Sequence, residues 1–160
     1  MISLQIIAVG KLKDAWMREG CAEYCKRLGM WSSVSVVEVE EYRLPDHPSP
    51  AQIAECVEKE GERILAKLPK GACTVAMCIE GKTMSSEQLA AYLQKTAVDG
   101  VSTFALVIGG SYGLSERVKA SASLRLSMSP MTFPHQLARV MLLEQLYRAL
   151  SINANAKYHK

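Results

Sequence analysis

Gly109-Gly110-Ser111-Tyr112-Gly113 follows an apolar run and precedes a helix-forming one, so its glycines can bring backbone N–H groups close to a ligand. The spacing is not the G-x-G-x-x-G of a dinucleotide site, and the lysine and Ser/Thr of a P-loop are missing, which disfavours phosphate cradling. The competing reading is a tight strand-to-helix turn. A second stretch, Leu126 to His135, carries too many hydroxyls and prolines for a core element and too many apolar residues for a solvated loop. That mixture suits a pocket wall, with apolar side chains enclosing an adenine and backbone groups meeting its polar edge. An ordinary buried loop is the alternative.

Three cationic or titratable side chains, His135, Arg139 and Arg148, fall in or beside a helical pattern that runs from Pro134 to Leu150. Four-residue spacing lets His135 and Arg139 point the same way, while Glu144 and Arg148 read more readily as a helical ion pair. The chain ends in Tyr158-His159-Lys160, an aromatic, an imidazole and an amine in a region that often frays. No Ser-His-Asp or paired-carboxylate arrangement stands out, and no metal is called for.

The elements that must position these groups can be read from periodicity. Ile2 to Val9 alternates apolar residues up to Gly10, as a partly buried strand does, and Val34 to Val39 repeats the pattern. Between them Trp16, Cys21, Tyr24 and Leu28 recur at helical spacing. Ser49-Pro50 with Gln52, and Ser85 with Gln88, are capping-box signals that start two more helices. Cys73 to Ile79 is apolar throughout, which suits a central parallel strand, and Glu80-Gly81-Lys82 should turn the chain. Thr103 to Ile108 is the next strand. Strands alternating with helices predict an α/β fold, a largely parallel sheet flanked by helices, in one domain spanning residues 1–160, with its ligand beyond the carboxyl ends of the strands.

Composition narrows the class. The 160 residues are 49% hydrophobic, enough for one buried core, and no apolar run approaches membrane-spanning length. The expectation is a soluble cytoplasmic protein with no membrane partner. Five cysteines form no Cys-x-x-Cys pair; Cys21 and Cys25 could share a helix face, but core packing is the better reading than zinc. A net charge of +3 permits RNA binding without arguing for it, since nucleic-acid-binding domains commonly have a pI above about 9.

Taken together, Val107 to Ser115, Ser127 to Arg139, Glu144-Gln145-Leu146-Tyr147-Arg148-Ala149 and the final Tyr-His-Lys resemble the ribosomal large-subunit pseudouridine N3-methyltransferase family of the SPOUT class. The resemblance spans the chain and is specific mainly after Phe104. It implies a C-terminal trefoil knot, S-adenosylmethionine as cofactor, a homodimer, and ribosomal RNA or the assembled ribosome as substrate. It implies that Met77, Gly109, Gly110, Ser129, Pro130, Met131, Thr132, Phe133 and Pro134 hold the cofactor. It further implies that His135, Arg139, Arg148 and His159 serve catalysis, and that Tyr147 and Tyr158 meet the RNA. Which group accepts the N3 proton stays open between His135 and His159. A non-catalytic ribosome-associated RNA-binding protein is the second reading, and a nucleotide-binding oxidoreductase a poor third.

Overall fold

Leu4 and Ile6 to Val9 are all buried, so the first strand, β1 (Ile2–Val9), has no wet face. This is deeper than the partly buried strand its alternation suggests, and the reason is topological: a parallel strand in mid-sheet is covered by helices on both sides. The computed structural model describes all residues 1–160. Five strands, β1, β2 (Ser32–Val39), β3 (Cys73–Thr83), β4 (Thr103–Ile108) and β5 (Leu124–Ser127), alternate with five helices. The helices are α1 (Ala15–Leu28), α2 (Pro50–Leu65), α3 (Ser86–Val98), α4 (Glu116–Ser121) and α5 (His135–Asn153). The sheet is parallel throughout in the order β2-β1-β4-β3-β5.

The period-two alternation of strands sorts the core into two layers. Leu4, Ile6, Phe104 and Leu106 face α1, α3 and α5, where Leu28, Leu93, Leu142 and Leu146 close over them. Ile7, Val9, Ala105 and Val107 face α2 and α4 through Ile64 and Val118. Truncating a fully buried residue such as Phe104 to alanine would cost about 3–5 kcal/mol.

Local chemistry sets the helix starts. Ser49 Oγ accepts from Gln52 N at 3.2 Å and Ser85 Oγ from Gln88 N at 3.1 Å, while each glutamine side chain returns a bond to its cap. Both capping boxes expected from the sequence are therefore formed. The expected turn at Glu80-Gly81-Lys82 is not: β3 runs on to Thr83, with a break in its pairing to β5 between Met77 and Lys82. Gly81 permits this, because a Cβ there would lie 2.8 Å from the Arg125 backbone. Likewise Leu126 and Ser127, expected to open a loop, end the short edge strand β5, whose four residues are too few to show a pattern of their own. No helix is long and apolar enough to cross a membrane.

Candidate active site

The irregular part of β3 and the connections that follow β4 and β5 form the three walls of a cavity of about 930 Å3. The first wall is the stretch of β3 from Met77 to Glu80, where its pairing with β5 breaks. The second is the glycine loop, closed by a bridge between Gly110 and Gly113 and a Gly113 N–H donating to Gly110 O at 3.1 Å. At Gly109 a Cβ would sit 2.6 Å from the Gly113 carbonyl carbon, so the loop can close this tightly only with glycine there. Beyond it Ser115 Oγ accepts from Val118 N and starts α4. The third wall is the Ser127 to Pro134 connection, shaped by Ser127 Oγ donating to Ser129 O and Met131 N donating to Ser129 Oγ.

Of the nine positions expected to hold a cofactor, Met77, Gly109, Gly110, Ser129, Met131, Thr132, Phe133 and Pro134 line this cavity. Pro130 is exposed and lies outside the lining. At Gly110 the glycine also has a reason within the protein. Its missing side chain leaves room for protein: a Cβ would meet Glu60 Oε1 at 2.9 Å and Val9 at 3.2 Å. Glu60 is buried, accepts from Tyr42 N through Oε2 and leaves Oε1 unpartnered. Burial pushes its carboxyl above the ordinary range, and the Tyr42 hydrogen bond opposes this.

Half of the 22 lining residues are apolar, and the lining holds one ion pair, between Glu80 on β3 and Lys119 on α4. The hydrogen bond between them favours the charged form of each, lowering Glu80 and raising Lys119. Sequence reading passed over this pair because its members are 39 positions apart and only the β3–α4 packing joins them.

His135, the first residue of α5, lines the same cavity and is half-buried. Burial holds its imidazole below the ordinary value; Glu41 opposes this, while Arg139 and Lys13 add to it. The ring is therefore neutral near pH 7 and able to accept a proton.

This arrangement belongs to a recognisable group. A family model described as "Predicted SPOUT methyltransferase" matches residues 2–159. The chain belongs to the SPOUT methyltransferase family. A protein of Bifidobacterium animalis subsp. lactis named "Ribosomal RNA large subunit methyltransferase H" is 50% identical over 159 residues, covering 99% of this chain and 100% of that protein. One of the same name from Listeria monocytogenes serotype 4a is 46% identical over the same shares of each chain. Among solved structures, "Probable Methyltransferase from Bordetella pertussis Tohama I" superposes with a TM-score of 0.54 at 15% identity, covering 92% of this chain and 95% of that one. A probable methylase family protein from Haemophilus influenzae Rd KW20 gives 0.52 at 14% identity, over 98% of this chain and 70% of that one. These two share the fold.

The other expected residues of this SPOUT methyltransferase lie elsewhere. Arg139, expected to serve catalysis beside His135, does not face solvent. It is 3% exposed, with Nη1 on Glu38 Oε2 at 2.7 Å and Nη2 on Gly10 O at 3.1 Å. Its guanidinium reaches from α5 to the carboxyl ends of β1 and β2, where it pairs with Glu38 and satisfies the Gly10 carbonyl.

Arg148, Tyr147, Tyr158 and His159 form a second cluster near the end of α5. The Tyr147 and Tyr158 rings meet edge to face at 4.6 Å, Trp31 stacks on Tyr147 at 5.4 Å, and the Arg148 guanidinium lies 4.7 Å above the Tyr158 ring. Arg148 Nε donates to Glu144 Oε1 at 3.0 Å, so the ion pair read from the spacing is formed. His159 bridges Arg148 Nη1 at 3.3 Å and Glu87 Oε1 at 2.7 Å. The tail is thus folded back on α5, and the preceding spacer explains how: Asn155 adopts φ 54° and Ala156 N donates to Ser151 O at 2.8 Å. His135 and Arg148 are separated by 13 helical residues, which at about 1.5 Å each is roughly 20 Å. One chain does not bring them together.

Proposed function

We propose that this protein transfers a methyl group from S-adenosylmethionine to N3 of a pseudouridine in large-subunit ribosomal RNA. The observation that carries the reading is the cavity between the irregular part of β3 and the carboxyl ends of β4 and β5, with half-apolar walls, a glycine loop and a single ion pair. A ligand combining a purine, a ribose and an amino-acid chain fits such a lining, and the size lies within the roughly 300–1,000 Å3 of small-molecule sites. Met77, Gly109, Gly110, Ser129, Met131, Thr132, Phe133 and Pro134 would hold it. The full-length relatives named as large-subunit ribosomal RNA methyltransferases support the choice of substrate.

When bound, S-adenosylmethionine supplies an electrophilic methyl group. The protein's own task is to position the base and relieve N3 of its proton. His135 is the acceptor we assign, because it lines the cavity and burial keeps it neutral. Tyr147, Arg148, Tyr158 and His159 engage the RNA, while Arg139 fastens α5 to the sheet.

The roughly 20 Å between His135 and Arg148 favours a homodimer, in which the Arg148 cluster of one protomer would serve the cavity of its partner. The trefoil knot implied by the resemblance belongs to the same proposal. From the edge strand β5 the chain returns to α5, which packs against both α1 and α3, the path a threaded segment would take. The enzyme would work in the cytoplasm, where ribosomes are.

Calorimetric titration tests the cavity: S-adenosylmethionine should bind with one saturable isotherm and NAD should give no heat. Binding of NAD alone would redirect the assignment to redox chemistry, and binding of neither would leave only an RNA-binding role.

A further inference from the structure

The one ion pair in the cavity lining is unevenly exposed. Lys119, on α4, keeps 14% of its side chain exposed, whereas Glu80, on the irregular part of β3, keeps 54%. The Lys119 ammonium pairs with Glu80 Oε1 and lies 3.5 Å from Glu116 Oε1, so two carboxylates share one cation and the local charge is negative. A carboxylate has about four lone-pair sites, so Glu80 keeps acceptor capacity toward the cavity that it and Lys119 line. The hydrogen bond from Lys119 also holds the Glu80 carboxyl below the ordinary range, which keeps it ionised at neutral pH. Position matters as much as charge. Val118, beside Lys119, is buried in the layer formed by α2 and α4, while His135 opens α5, whose Leu142 and Leu146 close the opposite layer. The cavity therefore reaches from one side of the sheet to the other, with His135 toward α5 and Glu80 toward α4.

We propose that Glu80 binds the ribose hydroxyls of the cofactor and that Lys119 is the positioning residue that holds its carboxylate for them. The inference rests on the function proposed above. The methyl group must face the target nitrogen beside His135, so what reaches the α4 side is either the ribose edge or the amino-acid end of the cofactor. The amino-acid end brings a carboxylate of its own, which the surplus negative charge of Glu80 and Glu116 repels. The ribose edge brings two adjacent hydroxyls, neutral donors that one carboxylate can accept together through its two oxygens. Lys119 serves this in two ways. It keeps Glu80 ionised, and by joining α4 to β3 it fixes the direction in which the carboxylate meets the cavity.

The test is calorimetric titration of the full-length protein with three probes: S-adenosylhomocysteine, its 2′,3′-dideoxyribose counterpart, and methylthioadenosine, which keeps the ribose but lacks the amino-acid end. Wild type should bind the dideoxy probe roughly 10-fold more weakly than S-adenosylhomocysteine. Glu80→Gln should lose roughly 10-fold in affinity for S-adenosylhomocysteine and the same factor for methylthioadenosine, while its affinity for the dideoxy probe matches that of wild type. Lys119→Met should show the same pattern and Lys119→Arg should restore the wild-type values, whereas a bridge that only joined α4 to β3 would shift all three probes alike. Wild-type affinity for S-adenosylhomocysteine in Glu80→Gln would overturn the proposal. So would an equal loss on the dideoxy probe, and so would a loss confined to S-adenosylhomocysteine, which would put Glu80 on the amino-acid end. If wild type binds none of the three probes, the reading of the cavity as a cofactor site fails and takes this inference with it, an outcome distinct from wild-type binding that Glu80→Gln leaves unchanged.

Discussion

Gly110 and Glu60 belong together, because the carboxylate occupies the space that any side chain at Gly110 would need. Gly110→Val should therefore destabilise the protein as well as disturb the cavity. Overpacking of this kind costs about 1–3 kcal/mol, so the melting temperature should fall by roughly 5 °C, and an unchanged melt would show that Glu60 can move aside. Glu60 also makes stability depend on pH. Its folded-state carboxyl is raised by burial, so the unfolded chain releases this proton first as pH climbs. The contribution is fully present below the ordinary carboxylate range and is lost as pH rises through the raised value. Thermal melts from about pH 4 to pH 7 should show that decline, and Glu60→Gln should flatten it. His135 carries the opposite shift. Methyl transfer should fall on the acid side as its lowered value is crossed, since the protonated ring cannot accept, and His135→Gln should reduce kcat by about 100-fold and remove that limb. Residue types in the glycine loop and the Ser127 to Pro134 stretch were compatible with a pocket and equally with a tight turn and a buried loop, and it is their meeting beside β3 that forms the cavity. The burial of Arg139 was not legible, because helical spacing gives a direction relative to neighbours on the same helix and says nothing of what packs against it.

At the scale of elements, the signals that survive into the structure are those with a local cause. Both serine caps hold their glutamine partners within three residues, so sequence alone suffices to place the starts of α2 and α3. The end of β3 depends on pairing with β5, and neither that pairing nor a four-residue edge strand leaves a periodic trace. The tail is similar: its residue types suggested function, but its place rests on a left-handed Asn155 and on contacts to Tyr147, Glu144 and Glu87. Deleting Tyr158 to Lys160 removes one edge-to-face aromatic pair, worth about 0.5–1.5 kcal/mol, and should lower the melting temperature by a few degrees. Cofactor affinity should persist while methyl transfer is lost. Full activity after the deletion would remove the tail from the site.

For the molecule as a whole, the alternation of strands and helices dictates an α/β sheet, and a largely apolar run such as Cys73 to Met77 fits a strand covered by helices on both faces. Strand order is another matter, since β4 lies between β1 and β3 and nothing in either strand's composition names its neighbour. Threading of the chain and pairing of subunits are less visible still, because neither has a periodicity. Light scattering at micromolar concentration should return twice the chain mass, and a monomer would leave the His135 and Arg148 clusters unconnected. The most direct measurement of the central claim is methyl transfer itself. Ribosomes lacking the modification would be incubated with the protein and S-adenosylmethionine labelled in its methyl group, and the digested large-subunit RNA resolved by nucleoside chromatography. The label should appear in N3-methylpseudouridine and nowhere else; label in another nucleoside, or none in RNA despite cofactor binding, would contradict the account.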